Sequence, residues 1–380
     1  MKAEVHAARA VRAYAAMRRQ FLRRDALYRR DGRPRLPRAA AHLWPTARAF
    51  AGAVDLLGIR RELLGGFDAE SAVTAHLRAL EAYWDDAGAL PAYASDVIGS
   101  RFGGDRYYDD NAWVGLVLVQ LERLRPGRGH AQRADALFRF AADGWDVRPD
   151  VPSPGGVFWV EQTRGTGLTN HDRNTVSNAP NAQLGLHLAE LSVGDTQRYG
   201  RAHDMYAWVN VTLDAGRREG APGTGLFYDK VRGDATIDTT LWSYNQGNMI
   251  GANVLLARGG ARAEGSGPAP RGETYLARAE AIAAKALRHY DGGYLHQPAA
   301  FNAILFRNLL QLHAVTADAA LQEHIRRAMS AYAETAWTCH RDRHDRFRFG
   351  RGGLTLLDQS AMVQVYALLA WHPDDYGALA

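Results

Sequence analysis

Apolar residues along the chain recur at three- and four-residue steps, a spacing that predicts amphipathic helices. The first helix is predicted over residues 4–30, where Ala10, Tyr14 and Phe21 are separated by arginines. Two kinds of helix then alternate, one charged and amphipathic and the other poor in charge. The charge-poor helices are rich in Ala, Leu, Gly and Val, as helices buried on most sides must be. Their predicted starts lie near Pro37, Tyr108, Asn174, Trp242, Asn302 and Leu354.

These starts recur at intervals of about 55 to 70 residues, which predicts a helical hairpin repeated about six times. With the N-terminal helix counted as an outer member, the pattern predicts an all-α protein. We expect a closed (α/α)6 toroid of six inner and six outer helices, forming one domain over residues 1–380. An open solenoid is the alternative, but it would expose a hydrophobic inner face at each end.

Two stretches interrupt the helices, residues 144–172 and residues 220–240. Both are rich in glycine or turn-forming residues, and both contain short runs typical of β-structure. Residues 157–160 are predicted to form a short strand, and residues 225–231 half of a small hairpin. We therefore expect small β excursions in loops of a helical protein.

Each charge-poor helix begins with polar and aromatic residues before its sequence turns apolar. If the six helices run parallel, these residues converge at one end of the ring and line a cup. Amide and carboxylate groups hydrogen-bond vicinal hydroxyls, and aromatic rings stack on the C–H face of a pyranose. The pattern therefore predicts a binding site for a neutral polyol, with no place for a phosphate.

The densest of these helix starts is residues 106–116, where Tyr107 and Tyr108 precede Asp109 and Asp110. Acidic residues in a first helical turn favour the positive end of the helix dipole, so capping is one interpretation of the pair. The aromatic neighbours, which include Trp113, suit a sugar face and favour another interpretation. Under it, the pair supplies the two carboxylates that glycoside hydrolysis requires.

The chain resembles glycoside hydrolase family 76, the α-1,6-mannanases. The matching segments occur in the family's order and extend over most of the chain: residues 107–113, 155–159, 174–178, 242–251, 306–309 and 357–359. The resemblance implies a retaining hydrolase that cleaves α-1,6-linked mannose in mannan or mannooligosaccharides. We expect no cofactor and no metal in the site, and the sequence leaves open whether the toroid holds a structural metal.

The resemblance assigns Asp109 as the nucleophile and Asp110 as the general acid/base. A retaining enzyme holds its two carboxyl groups about 5–5.5 Å apart, and neighbouring residues reach that separation where the backbone splays them at a helix start. The helix N-terminus favours an ionised Asp109. Negative Asp109 in turn raises the proton affinity of Asp110, so the two titrate as a coupled pair.

Further substrate contacts are predicted from the helix starts and the β excursions: Trp44, Tyr108, Trp159, Asn178, Asp229, Tyr244, Asn245 and Gln246. Alternatives remain open for several of them. Trp44 also suits plain core packing. Asp229 resembles an acidic position of the family's sugar site, but aspartate is also a favoured turn residue. Residues 244–246 suit buried polar groups that cap a neighbouring inner helix.

Composition narrows the range of partners and compartments. The net charge is +5, but the arginines are scattered among acidic residues, so no nucleic-acid surface is expected. The single cysteine, Cys339, excludes an internal disulfide and a cysteine-based zinc site. No apolar run of about 18 residues and no signal peptide is seen. We expect a cytoplasmic monomer with no membrane partner, or a secreted protein if a leader has been removed.

Two other functions remain possible on the same toroid. A sugar epimerase or isomerase would rely on paired histidines at the cup, but few histidines lie at the charge-poor helix starts, with His42 the main exception. A non-catalytic carbohydrate-binding protein would not need both Asp109 and Asp110. The sequence leaves open whether cleavage is endo or exo, and whether the substrate is a polymer or an imported oligosaccharide.

Overall fold

The computed structural model describes residues 2–31, 40–100, 104–162, 170–191, 196–218, 225–259 and 274–380. Within these residues, six helices are buried along nearly their whole length: α2 (Leu43–Leu57), α4 (Tyr108–Leu124), α6 (Thr175–Leu191), α9 (Ser243–Arg258), α11 (Ala299–His313) and α13 (Leu356–Ala370). Six longer or more charged helices alternate with them: α1 (Ala3–Phe21), α3 (Ala69–Leu80), α5 (His130–Asp143), α7 (Thr196–Thr212), α10 (Tyr275–His289) and α12 (Ala319–Cys339). A single turn, α8 (Ala215–Arg218), follows α7.

The buried helices form a closed ring. Each contacts the next along the chain, from α2 through α4, α6, α9 and α11 to α13, and α13 returns to pack on α2. One outer helix packs on each inner helix, with the N-terminal α1 on α13. The predicted (α/α)6 toroid is therefore confirmed, including the outer position of the first helix, and the open solenoid is wrong.

Small residues let the inner helices approach one another closely. At Gly247 in α9, an added Cβ would lie 2.7 Å from the Cα of Leu305 in α11. Any larger side chain there would push the two backbones apart, which explains glycine within a buried helix despite its low helix propensity. Among the described residues, no helix combines the length and apolar character needed to cross a membrane.

Several predicted boundaries are wrong. Helix α1 ends at Phe21 and not near residue 30, because Leu22 adopts an extended conformation and the chain turns back to pair Leu22 with Tyr28. Helix α2 begins at Leu43 and not near Pro37, and residues 32–39 lie outside the described residues. Helix α11 begins at Ala299, three residues before its predicted start.

The β-structure is slight, as expected. Strands β1 (Trp84–Asp85) and β2 (Ala92–Tyr93) pair antiparallel, and β3 (Arg173–Asn174), β4 (Lys230–Val231) and β5 (Ile237–Asp238) form a second antiparallel sheet in that order. The hairpin predicted at residues 225–231 thus contributes β4. Residues 157–160 form isolated bridges instead of a regular strand. Residues 163–169 and 219–224 of the two excursions lie outside the described part of the chain.

Amide side chains fasten the preceding loop to the start of three inner helices. We call Asn111, Asn178 and Gln246 the amide clamps; each is the fourth residue of its helix. The Oδ1 atom of Asn178 accepts from the Val157 N–H at 2.8 Å, and its Nδ2 donates to the Val157 carbonyl at 3.3 Å. Asn111 pairs in the same way with Tyr93, and Gln246 with Phe227. A clamp therefore replaces the two hydrogen bonds that a neighbouring strand would make.

Each clamp also donates to the carbonyl four residues earlier, at Tyr107, Asn174 or Trp242. That carbonyl belongs to the residue that leads into the helix, so one side chain fixes both the loop and the helix entry. The fourth residues of two other inner helices also bond outside their own helix. Gln359 accepts from the Phe347 N–H, and Asn302 donates to the Tyr294 carbonyl.

Asn178→Ala is expected to lower the free energy of unfolding by about 1–3 kcal/mol, because the buried Val157 N–H loses its acceptor, whereas the Val157 carbonyl keeps the Ser177 hydroxyl as a donor. Urea unfolding followed by circular dichroism measures this loss. Asn308→Ala is the matched control, since the Asn308 amide is equally buried but donates only to Ile304 of its own helix. An equal loss in the two variants would show that the clamp adds nothing.

Candidate active site

A cavity of about 670 Å³ lies at the end of the ring where the inner helices begin. Every inner helix contributes a residue from its first turn, and in five of the six this is the second residue of the helix. The six residues are Trp44, Asp109, Val176, Tyr244, Phe301 and Leu357. The inner helices therefore run parallel and form the predicted cup. Its volume lies within the usual range for small-ligand sites.

The second and fourth residues of an inner helix face opposite ways. Successive residues of an α-helix are rotated by about 100°, so these two positions are separated by about 200°. The second position points into the cavity and the fourth is free to clamp the loop behind it. This geometry determines whether an amide side chain at a helix start faces the cavity or bonds the loop behind the helix.

Five predicted substrate contacts do not line the cavity: Tyr108, Asn178, Asp229, Asn245 and Gln246. Asn178 and Gln246 are fully buried clamps whose polar atoms bond to backbone groups. Tyr108, the first residue of α4, packs outward against α5, where its ring stacks on Phe140 at 4.6 Å. The side chains of Tyr108, Asn178 and Gln246 therefore support the wall of the cup from behind and do not form its inner surface.

Asp109 and Asp110 both line the cavity from the first turn of α4. The indole Nε1–H of Trp159 donates to Asp109 Oδ2 at 3.2 Å, and the backbone N–H of Asp110 donates to Asp109 Oδ1 at 3.0 Å. The Asp110 carboxyl receives no hydrogen bond from the part of the chain that the structure describes. The two adjacent carboxyl groups thus differ in their surroundings, and only Asp109 has donors that stabilise its anion.

Burial raises the pKa of both carboxyl groups. The pKa of Asp109 rises to about 7, with burial as the main cause and the two N–H donors acting against it. The pKa of Asp110 lies well above its ordinary value because of burial and of the negative charge on Asp109. The pair therefore shares a proton near neutral pH, and that proton favours Asp110 because Asp109 keeps the hydrogen bonds to its anion.

A third carboxyl group, Asp229, lies close to the pair. Asn245 Nδ2 donates to Asp229 Oδ1 at 3.2 Å, and burial raises the pKa of Asp229 to about 6. The negative charge of Asp229 contributes to the raised pKa values of Asp109 and of the Tyr244 hydroxyl. Asn245 is fully buried, so its described contact is with Asp229 and not with the cavity.

Aromatic pairs form much of the cavity wall. Trp44 contacts Trp113 with ring centroids 5.5 Å apart, and Tyr244 stacks on Phe301 at 3.9 Å. Trp159, which contacts Tyr107 at 5.0 Å, completes this surface next to the acid pair. Three of the predicted substrate contacts, Trp44, Trp159 and Tyr244, therefore line the cavity, and their contact with a sugar stays a prediction. Phe301 was not predicted, because the expected helix start at Asn302 left it outside the helix.

The sequence analysis did not predict a polar rim on the cavity, formed by Arg30, His42 and Asp96. His42 Nδ1 lies 3.0 Å from Asp96 Oδ1, and Arg30 Nη1 lies 3.3 Å from His42 Nε2. Arginine can only donate, so His42 accepts at Nε2 and directs its Nδ1–H toward Asp96. The single signal for this rim was His42 itself. Among the described residues, no group of three or more His, Cys, Asp or Glu side chains is arranged to hold a metal.

Asp110→Asn is expected to stabilise the protein at pH 8, raising the thermal midpoint by at least about 2 °C. The folded pKa of Asp110 lies above its ordinary value of 3.8, so the native state binds more protons than the unfolded state above that pH. Native stability therefore falls as pH rises through this window, and asparagine removes that dependence. Calorimetry between pH 4 and 8 measures the effect.

The advantage of Asp110→Asn should shrink toward pH 4, where Asp110 is protonated in the folded state and about half protonated in the unfolded state. Asp150→Asn serves as the control, because Asp150 is exposed and does not line the cavity. A variant no more stable than the native protein at pH 8 would contradict the raised pKa.

Comparisons with known proteins agree with this architecture. Residues 31–368 match the sequence profile described as glycosyl hydrolase family 76. An α-mannanase of that family from Bacteroides thetaiotaomicron superposes with a TM-score of 0.78 at 15% identity, covering 96% of this chain and 95% of the other. No curated protein matches the chain.

Two further solved structures share the fold. One is an inactive variant of an α-1,6-mannanase from a Salegentibacter species, with two consecutive aspartates changed to asparagine, in complex with α-1,6-mannotriose; its TM-score is 0.72 at 19% identity, with 96% and 99% of the two chains covered. The other is a D-mannose isomerase with a TM-score of 0.62 at 12% identity, with 97% and 96% covered. At these identities the likeness shows the fold alone.

Proposed function

Because the chain belongs to glycosyl hydrolase family 76, we propose that it cleaves α-1,6-linked mannose chains and retains the anomeric configuration. The observation that carries this proposal is the acid pair in an aromatic-lined cavity, with one carboxyl group held by two N–H donors and the other without a described donor. The Salegentibacter enzyme supports it, because its inactive variant in complex with α-1,6-mannotriose has two consecutive aspartates replaced.

In the first step, Asp109 attacks C1 of the mannose residue while protonated Asp110 transfers its proton to the glycosidic oxygen. The C1–O bond breaks, the shortened chain leaves as an alcohol, and an ester joins C1 to Asp109. Asp110 has the higher proton affinity of the two, which suits its role as acid and the role of Asp109 as nucleophile. Trp159 and the backbone N–H orient the Asp109 anion, and Asp110, which has no described donor, keeps the proton and is available as the general acid.

In the second step, Asp110 is ionised and removes a proton from a water molecule. The water oxygen attacks C1, the ester bond to Asp109 breaks, and the sugar leaves with its original configuration. Asp110 has then regained its proton and Asp109 its charge. A shared proton near neutral pH lets one residue act first as acid and then as base.

Substrate contact falls to the residues that line the cavity. Trp44, Trp159 and Tyr244 present aromatic surface suited to the C–H faces of mannose rings in a mannan or mannooligosaccharide. The polar rim of Arg30, His42 and Asp96 supplies groups that bond sugar hydroxyls. Asp229 and Asn245 act behind this surface, through the charge that Asp229 exerts on Asp109.

The fold shared with a D-mannose isomerase keeps a second function in view. An isomerase of this kind would need paired histidines to move protons between neighbouring carbons. Of the described residues that line the cavity, His42 alone is a histidine, and it is engaged by Asp96 and Arg30. Two cavity-facing carboxyl groups with unequal surroundings fit hydrolysis better.

Asp109→Ala and Asp110→Ala are each expected to lower kcat on α-1,6-mannotetraose by at least about 10³-fold, because each removes one of the two groups that divide attack and protonation. Chromatography of the products measures this loss. Proton NMR of the fresh products should show the α-anomer first, as retention requires.

A substrate with an acidic aryl leaving group distinguishes the two roles. It needs little protonation, so Asp110→Ala should regain part of the first step while Asp109→Ala should not. Asp150→Ala, at an exposed site, is the control for folding and assay. Full activity in either cavity variant, or products with an aldose converted to a ketose, would refute the proposal.

Asp229→Asn is expected to move the acidic limb of the pH profile of kcat/KM to lower pH. The negative charge of Asp229 raises the pKa of Asp109, so its removal lets Asp109 ionise at lower pH. Initial rates between pH 4 and 8 measure the shift. A limb that stays in place, with only KM changed, would assign Asp229 to sugar binding alone.

A further inference from the structure

Of the two described donors to Asp109, the Trp159 indole is the one whose place depends on the orientation of a side chain. Asp109 Oδ1 accepts from the backbone N–H of Asp110 at 3.0 Å, and the first turn of α4 fixes that donor. Asp109 Oδ2 accepts from Trp159 Nε1 at 3.2 Å. Rotation of the indole to another side-chain rotamer would carry its N–H away from the carboxylate. The orientation of Asp109 therefore depends on what holds the Trp159 ring.

Backbone contacts hold Trp159 on both sides. Its N–H donates to the Asp172 carbonyl at 2.9 Å, and its carbonyl accepts from the Tyr108 N–H at 3.1 Å. Phe158 forms a bridge with Arg173 of β3, so this segment lies along the edge of the sheet formed by β3, β4 and β5. These contacts fix the Cα atom of Trp159, but they do not fix the direction of its ring.

Lys230 of β4 contacts that ring. Its Nζ lies over the indole, 5.8 Å from the ring centroid, within the distance of about 6 Å at which a cation is attracted to an aromatic face. Lys230 Nζ also pairs with Asp172 Oδ2 at 2.7 Å, and both side chains are partly buried. Asp172 Oδ1 accepts in turn from the Gly233 N–H at 2.9 Å, between β4 and β5. An anchored carboxylate therefore holds the ammonium group over the ring.

The ammonium group acts on the ring in two ways. Its attraction to the ring face opposes rotation of the indole away from Asp109. A positive charge on the face also draws π-electron density toward itself, which makes the indole N–H a stronger donor. Both effects stabilise the hydrogen bond to Asp109 Oδ2. Lys230 itself does not line the cavity, so it reaches the acid pair through Trp159.

We propose that Lys230 is a positioning residue for the nucleophile: paired with Asp172, it fixes the Trp159 ring so that the indole N–H stays on Asp109. This inference rests on the proposed function, which makes Asp109 the nucleophile. It adds to that function a residue that acts on the reaction without touching the sugar.

Lys230→Met removes the charge and is expected to lower kcat on α-1,6-mannotetraose about 3- to 20-fold, with KM nearly unchanged. Lys230→Arg keeps a cation that can pair with Asp172 and should recover most of this loss. Trp159→Phe has no indole N–H, so adding Lys230→Met to it should lower kcat by less than about twofold. Lys285→Met, at an exposed site on α10, is the matched control and should keep full activity.

A measurement without substrate separates this inference from the proposed function. In ¹⁵N–¹H NMR spectra of the resting protein, the Trp159 indole signal is identified by its absence from Trp159→Phe. It should move upfield and exchange faster with water in Lys230→Met, return in Lys230→Arg and stay in place in Lys285→Met. Lys230→Gln, which is neutral and polar, repeats both measurements if Lys230→Met does not fold.

An indole signal that Lys230→Met leaves unchanged would overturn the inference whatever the activity, because Lys230 would then not hold the ring. So would a loss of kcat in Lys230→Met that is undiminished in the Trp159→Phe background. A native protein that leaves mannotetraose intact but shows the expected change of the indole signal would refute the hydrolase and support the contact that positions Asp109.

Discussion

The structure depends on the parallel packing of six helices inside a ring. Parallel packing brings all six N-termini to one end, so their unpaired N–H groups and positive dipole ends meet around one cavity. A concentration of positive helix ends suits carboxylate groups, and the acid pair lies on α4 in this position. Two positions of the same helix then have different roles, because the second residue points into the cavity and the fourth is free to bond the loop behind it. The architecture thereby determines which helix positions face the cavity, whatever side chains they carry.

The cavity is held open by polar contacts that the apolar core cannot supply. The amide clamps connect loops to helix starts, and Arg106 ties the loop before α4 to Glu161 at 2.6 Å and to the Leu90 carbonyl at 2.8 Å. These contacts hold segments that would otherwise need a sheet to satisfy their backbone groups. The acid pair acts in the opposite direction, since two partly buried carboxyl groups with raised pKa values weaken the native state at neutral pH. A rigid polar frame around the cavity offsets this weakness.

Much of the fold was predictable because charge-poor and charged helices alternate along the whole chain. Errors of a few residues in single helix boundaries do not change that pattern. The location of the acid pair was also predictable, since its aromatic neighbours and its place before an apolar run are visible in the sequence. The roles of Asn178 and Gln246 were not, because an amide at a helix start suits a sugar hydroxyl as well as a backbone group. Which outcome occurs depends on the direction in which each helix position faces. A helix start predicted three residues too late, as for α11, assigns the wrong direction to each side chain. Pairs distant in sequence, such as Arg307 with Asp55, carry no local signal at all.

The division between second and fourth helix positions bears on how enzymes of this shape diversify. An exchange at a second position changes the surface that a ligand meets and leaves the fastening of the loops intact. Five of the six inner helices present such a position to the cavity, and these residues can therefore vary almost independently of the architecture that carries them. New chemistry can arise on this scaffold by replacing a few inward residues, without a new fold having to be stabilised first.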